Sequence, residues 1–151
     1  MNGMPASDPR RIRWRGALDR AEHRVRFALG GIAIGVVAGL AIIAACNSIW
    51  ALANGMGLGA LWDDTSPAQA ALAGAPYAML GIVGIRTPRA WQVAAVLTAA
   101  FWGYYLYAIL RPYDGVGANI GLGILMLASP VIIVAAALLT AAIDRVRQPP
   151  A

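Results

Sequence analysis

Four uncharged apolar runs, at roughly residues 27–53, 68–85, 90–110 and 116–143, dominate the sequence. A run of about 18 or more such residues is long enough to cross a bilayer as a helix. Four of them in 151 residues leave little chain for anything else. Charged residues make up 13% of the chain, about half the ~25% of an ordinary soluble domain. Too little polar surface remains to face water on all sides. The sequence therefore predicts an all-α integral membrane protein, a four-transmembrane-helix bundle. Residues 1–26 form an Arg-rich cytoplasmic or interfacial segment, residues 27–143 the bundle and residues 144–151 a tail.

Charge placement predicts the orientation. Arg10, Arg11, Arg13, Arg15, Arg20, Arg24 and Arg26 precede the first run, Arg86 and Arg89 lie in the second connection, and Arg145 and Arg147 follow the fourth run. Eleven of twelve arginines thus fall on one side, against Arg111 on the other. Short cytoplasmic loops carry the Arg/Lys excess, which places both termini in the cytoplasm. The basic residues are all arginine in an Ala- and Gly-rich chain, a composition that suggests a GC-rich bacterial genome and hence a bacterial inner membrane. Residues 7–26 admit two readings: an interfacial amphipathic helix on anionic headgroups, with Asp8–Pro9 as its start, or a plain positive anchor. The segment "IAAC", ending at Cys46, resembles a lipoprotein cleavage box. The long positive region before it and the apolar residues after it argue against processing there.

Local chemistry predicts how the helices begin and pack. "TSPAQ" reads as a capping box with Ser66 as cap, Pro67 in the first turn and Gln69 reaching back; "RTPRA" repeats the device with Thr87 and Pro88, and Asp114 would cap the fourth span. Gly31, Gly35 and Gly39 form a ridge on the first span, and Gly117 and Gly121, continued by Ala128 and Ala135, form another on the fourth. Small residues let membrane helices approach closely, so these ridges should pack inside the bundle or join protomers. Gly35→Leu should then force backbones apart, with Gly35→Ala milder. Pro130 cannot donate to the Met126 carbonyl, and a kink is expected there. Trp91 at one end of the third span, and Trp50, Trp62, Tyr104, Tyr105, Tyr107 and Tyr113 at the other, read as two interfacial aromatic belts.

Several functions are disfavoured by what the residues are. No Asp, Glu, His, Lys or Arg lies deep in any of the four runs, whereas ion-coupled transporters and proton relays depend on intramembrane ionisable groups. Small multidrug exporters are similar in helix number and size, but residues 27–53 lack the coupling acid of that family's first helix. His23 is the one histidine and Cys46 the one cysteine, at opposite ends of the first span, so no haem, metal or Cys–His site is expected. Asp63–Asp64 alone are a poor cation site. The glycines of "GVGANIGLG" have no preceding strand or following Lys and do not read as a phosphate loop. No cofactor is expected, and the net charge of +5 sits at membrane edges rather than on a nucleic-acid recognition element.

What remains is a polar group near the outer ends of the helices. Asn47, Asn54, Tyr104, Tyr107, Arg111 and Asn119 could line an outward-facing pocket or clamp helices together. An Asn119 amide in hydrocarbon needs a partner, and Asn47 is the natural choice. The leading functional expectation is a non-enzymatic accessory subunit or assembly factor of a membrane complex. The alternative is a binder or transporter of small molecules or lipids, using the outer polar group. Expected partners are membrane lipids, anionic at the cytoplasmic face, and a protein partner or second copy.

Overall fold

A computed structural model describes residues 9–111 and 120–147. The described residues form four helices: α1 (Pro9–Ala53), α2 (Ser66–Val83), α3 (Pro88–Ile109) and α4 (Ile120–Arg147), with a short 3-10 turn, Leu58–Leu61, after α1. Three helices are long and apolar enough to cross a membrane, namely α1 from Asp19 onward, α3 and α4. Helix α2 is the shortest at 18 residues and carries Gln69, Tyr77, Pro67 and Pro76 among its apolar residues. The Arg-rich segment is not a separate element. It is continuous with the first span as one 45-residue helix, ~67 Å long at 1.5 Å per residue, and every described side chain from Asp19 to Arg26 is exposed.

Helices α1 and α2 lie antiparallel with their backbones almost touching. Gly31 faces Gly81, Gly35 faces Gly74 and Ala78, and Gly39 faces Ala70. A Cβ built on Gly31 would sit 2.5 Å from the Gly81 Cα, and one on Gly35 2.6 Å from the Gly74 carbonyl oxygen. Glycine is required here by close approach, not by backbone angle, and even alanine does not fit. Gly35→Ala is therefore disruptive in its own right, and Gly35→Leu, with more atoms to place, stays the more severe change. The corresponding residues of α4 behave differently: Gly121 and Ala135 are exposed, Ala128 is half-buried, and Gly117 lies outside the described residues. No second tight ridge forms there among the described residues.

Helix α2 lies at the centre of the bundle. One face meets the glycine ridge of α1, while Tyr77 and Leu80 share a buried cluster with Ala90 and Ala94 of α3 and Ile133, Ala137 and Ala141 of α4. Ile43 and Cys46 of α1, Ala70 and Ala73 of α2, Trp102 of α3 and Met126 of α4 form a second cluster nearer the other end. Small residues at four-residue spacing, Ala90, Ala94 and Thr98, let α3 approach before Trp102 fills the widening space. The outward faces are apolar instead: Val37, Leu52, Val96, Leu127 and Val131 are all exposed, as suits helices in hydrocarbon.

Two local expectations gain detail. Pro130 lies inside an unbroken α4, and the Ser129 hydroxyl donates to the Met126 carbonyl at 2.8 Å. That is the carbonyl for which Pro130 has no N–H, and side-chain repair of this kind makes proline tolerable in a membrane helix. The capping box at Ser66 is also revised. Ser66 is already helical and Thr65 is the capping position without a side-chain cap bond. Asp63 captures the free donors instead, as described below. Thr87 does occupy the cap of α3 before Pro88, likewise without a side-chain bond.

Candidate functional site

The described polar groups at the end of the bundle where α1 turns into α2 form two assemblies. The first is a latch where α1, the 3-10 turn and α2 meet. Asn47 donates from Nδ2 to the Leu61 carbonyl at 2.9 Å and to the Ser66 Oγ at 3.2 Å. Ser66 Oγ in turn donates to Asp63 Oδ1 at 2.8 Å and accepts the Asp63 N–H at 3.1 Å. The same Asp63 oxygen accepts the N–H groups of Thr65 and Ser66 and the Thr65 hydroxyl. Hydrogen bonds from Ser66 and then Thr65 hold the Asp63 carboxyl below the usual carboxylate range. Next to the latch, Gln69 Nε2 donates to the Tyr105 hydroxyl at 3.1 Å, tying α2 to α3.

The second assembly runs along the outside of α3. Tyr104 and Tyr107 are half exposed with ring centroids 6.5 Å apart, and the Arg111 guanidinium lies 4.3 Å from the Tyr107 ring centroid. Residues 104, 107 and 111 follow helical spacing, so they share a stripe. Buried Ala94, Thr98 and Trp102 occupy a different face of the same helix. Cation–π stacking holds the guanidinium at the rim. Asn54 belongs to neither assembly; it is exposed and bonds the Trp50 carbonyl one turn back. Asn119 and Asp114 lie outside the described residues, while the described donor of Asn47 is engaged by Leu61 and Ser66. Sequence reasoning named Asn47 but missed Asp63, Gln69 and Tyr105 as interhelical or loop partners.

The opposite end carries the arginines. Arg89 Nη1 meets Asp144 Oδ1 at 3.0 Å, joining the start of α3 to the end of α4. Asp144 is not part of a free tail, since α4 continues to Arg147 and the Asp144 side chain is 10% exposed. Arg86 lies with its guanidinium carbon 5.7 Å from the Phe27 ring centroid. Phe27 packs edge-on to Trp91, whose indole N–H donates to the Ile85 carbonyl at 2.7 Å. Arg24, Phe27 and Arg86 border a cavity of about 450 Å³ over the end of α2.

In hydrocarbon a hydroxyl needs an acceptor, and the aliphatic hydroxyls in the helix interiors find one on their own backbone. Ser48, Thr98 and Thr140 each donate to a carbonyl one turn back. The Trp102 indole N–H is the exception, buried without an acceptor among the described residues. Among those residues, too, no group of three or more His, Cys, Asp or Glu side chains is placed to hold a metal. Chemically, the arrangement can bind helices together and present cationic and apolar surfaces. Compared with family models, curated proteins and solved structures, the chain matches none.

Proposed function

We propose that this chain is a small, non-enzymatic protein of the bacterial inner membrane, with four spans and both termini cytoplasmic. It acts as an accessory subunit or assembly factor of a membrane complex. The observation that carries the reading is the mismatch between α1 and its neighbour. The C-terminal end of α2 lies beside Ala28 of α1, where Gly81 approaches the Ala28 carbonyl. The helix from Pro9 to Phe27 therefore extends past α2, and its sequence carries seven arginines. A basic helical arm held at a fixed angle by a tightly packed hairpin suits docking. The apolar outer faces of α1, α3 and α4 offer further surface for helix association.

Four spans are favoured by the path of α2. It accompanies α1 from the level of Asn47, which bonds Ser66, to the level of Ala28. That stretch of α1 is ~28 Å long, close to the ~30 Å hydrocarbon thickness. The eleven-to-one arginine distribution supports cytoplasmic termini.

The test is purification of the full chain from its native membrane in mild detergent, beside a variant with Arg10, Arg11, Arg13 and Arg15 all changed to Gln. A stoichiometric protein partner that is weakened or lost in the variant is expected. Isolation of the chain alone with a retained small molecule other than a membrane phospholipid would overturn the reading in favour of a binder.

A further inference from the structure

One side of the α1–α2 hairpin is an apolar groove with a cationic end. Along α1 the groove is bordered by Ile32, Val36 and Leu40, and along α2 by Ala71, Ala75 and Ala78, with Gly35 and Gly74 at its floor and Trp62 at its far end. The glycine contacts that draw the helices together also deprive the floor of side chains. The recess is about 340 Å³. Continuing the four-residue spacing of Ile32, Val36 and Leu40 toward the N-terminus leads through Ala28 to Arg24. On α2, Ala71, Ala75 and Ala78 are followed on the same face by Ile82. Arg24 and Ile82 both border the cavity of about 450 Å³ at the arginine-bearing end, together with Arg86. Groove and cavity thus lie on one side of the hairpin, in line.

We infer that this groove seats an anionic phospholipid, with its phosphate between Arg24 and Arg86 and one acyl chain along Ile82, Ala78, Ile32 and Val36. Charge complementarity selects the occupant. Neither arginine has a carboxylate partner among the described residues; the two ion pairs there are Arg26–Glu22 and Arg89–Asp144. Stacking on Phe27 restrains the Arg86 guanidinium while leaving its N–H donors available. The negative end of the α2 dipole is the opposing factor. It is partly quenched, because Ile85 N–H bonds the Leu80 carbonyl at 3.0 Å and Gly84 N–H the Gly81 carbonyl at 3.1 Å. Dimensions agree as well. Arg24 to Val36 spans ~18 Å of helix, enough to take a chain from the headgroup to the middle of a ~30 Å hydrocarbon layer. A free anion would use the arginines but leave the groove empty, and a zwitterionic lipid would bring its own cation to them.

The inference rests on the chain lying in a bilayer, and not on any protein partner, so the purified full-length chain tests it alone. Delipidated protein in mild detergent is titrated with phosphatidylglycerol, phosphatidylcholine or inorganic phosphate, and bound lipid is counted by native mass spectrometry. One phosphatidylglycerol should bind in preference to phosphatidylcholine, with no inorganic phosphate retained. At about 1 kcal/mol per arginine near a headgroup, Arg24→Gln with Arg86→Gln should weaken binding about thirty-fold. Arg26→Gln, at an exposed pair outside the cavity, should change it less than about twofold. Ala78→Trp, which blocks the groove and keeps both charges, should also displace the lipid. Equal affinity for the two lipids, equal binding by wild type and the double variant, or retention of inorganic phosphate in place of lipid would overturn the inference.

Discussion

Alanine at position 35 is the sharpest perturbation the packing allows. Its Cβ would lie 2.6 Å from the Gly74 carbonyl oxygen and 3.3 Å from the Ala78 nitrogen. Ordinary carbon–oxygen contact begins near 3.4 Å, so α1 and α2 must separate locally by roughly 0.8 Å. Gaps of that size forfeit about a quarter to a half of each contact's attraction, and the ridge shares its contacts along three successive turns. Inserting a methyl group into a tight interface costs about 1–3 kcal/mol. The helix propensity of alanine over glycine returns up to ~1 kcal/mol, which leaves a net loss of about 0–2 kcal/mol and a deficit of about 1–3 kcal/mol against a control that gains the propensity alone. Gly30 is the matched control on the same helix, because a Cβ there meets nothing within 4 Å. Gly30→Ala should be neutral or more stable by less than ~1 kcal/mol. Reversible unfolding in mixed micelles, titrated with a denaturing detergent, measures both. If Gly35→Ala unfolds at the same denaturant fraction as Gly30→Ala, the backbone contact is not what holds this hairpin.

Other substitutions follow from single side chains. Asp63→Ala should loosen the latch by about 1–2 kcal/mol, the usual worth of a helix-capping acceptor, read as faster proteolysis between α1 and α2. Because the folded-state value of Asp63 is lowered, its contribution is present above the unfolded value near 3.8 and is lost as pH falls through the lowered one. The acid sensitivity of that loop should accordingly disappear in Asp63→Asn, which keeps an oxygen acceptor. Arg89→Leu strands the nearly buried Asp144 and should destabilise the bundle by about 1–2 kcal/mol, less than for a fully buried pair since Arg89 is itself exposed; equal melting of wild type and variant would refute the tie. Trp102→Phe removes an indole N–H that has no described acceptor but also thins a buried core side chain, so it should cost no more than the ~1–2 kcal/mol of the space it vacates, whereas a loss well beyond that would reveal a partner for the N–H.

Helices α1, α3 and α4 were legible because hydropathy and length mark them out, and α3 begins and ends within two residues of the expected limits, while α4 continues four residues beyond them to Arg147. The Gly31–Gly35–Gly39 ridge was visible as a four-residue repeat, but its partner was not. Gly74 and Gly81 are seven residues apart with Pro76 between them, and only the three-dimensional path of α2 aligns them. The continuity of α1 escaped because a change from basic to apolar composition does not itself end a helix. For the polar site, residue type identified candidates without revealing direction. Tyr104, Tyr107 and Arg111 share an outward stripe, while Tyr105 turns inward to Gln69. Asp63 rather than Ser66 captures the α2 donors because the tight turn brings its carboxylate back over them, a geometry that residue spacing alone leaves open.

What most needs testing is that α2, though the shortest of the four helices, crosses the membrane against α1 and returns the chain to the arginine-bearing side. Reporters of sidedness inserted singly after Ala60, after Arg86 and after Arg147 test it directly. The Arg86 and Arg147 sites should report the cytoplasm and the Ala60 site the opposite side. Ala60 and Arg86 on the same side would show that α2 does not cross, and would contradict it.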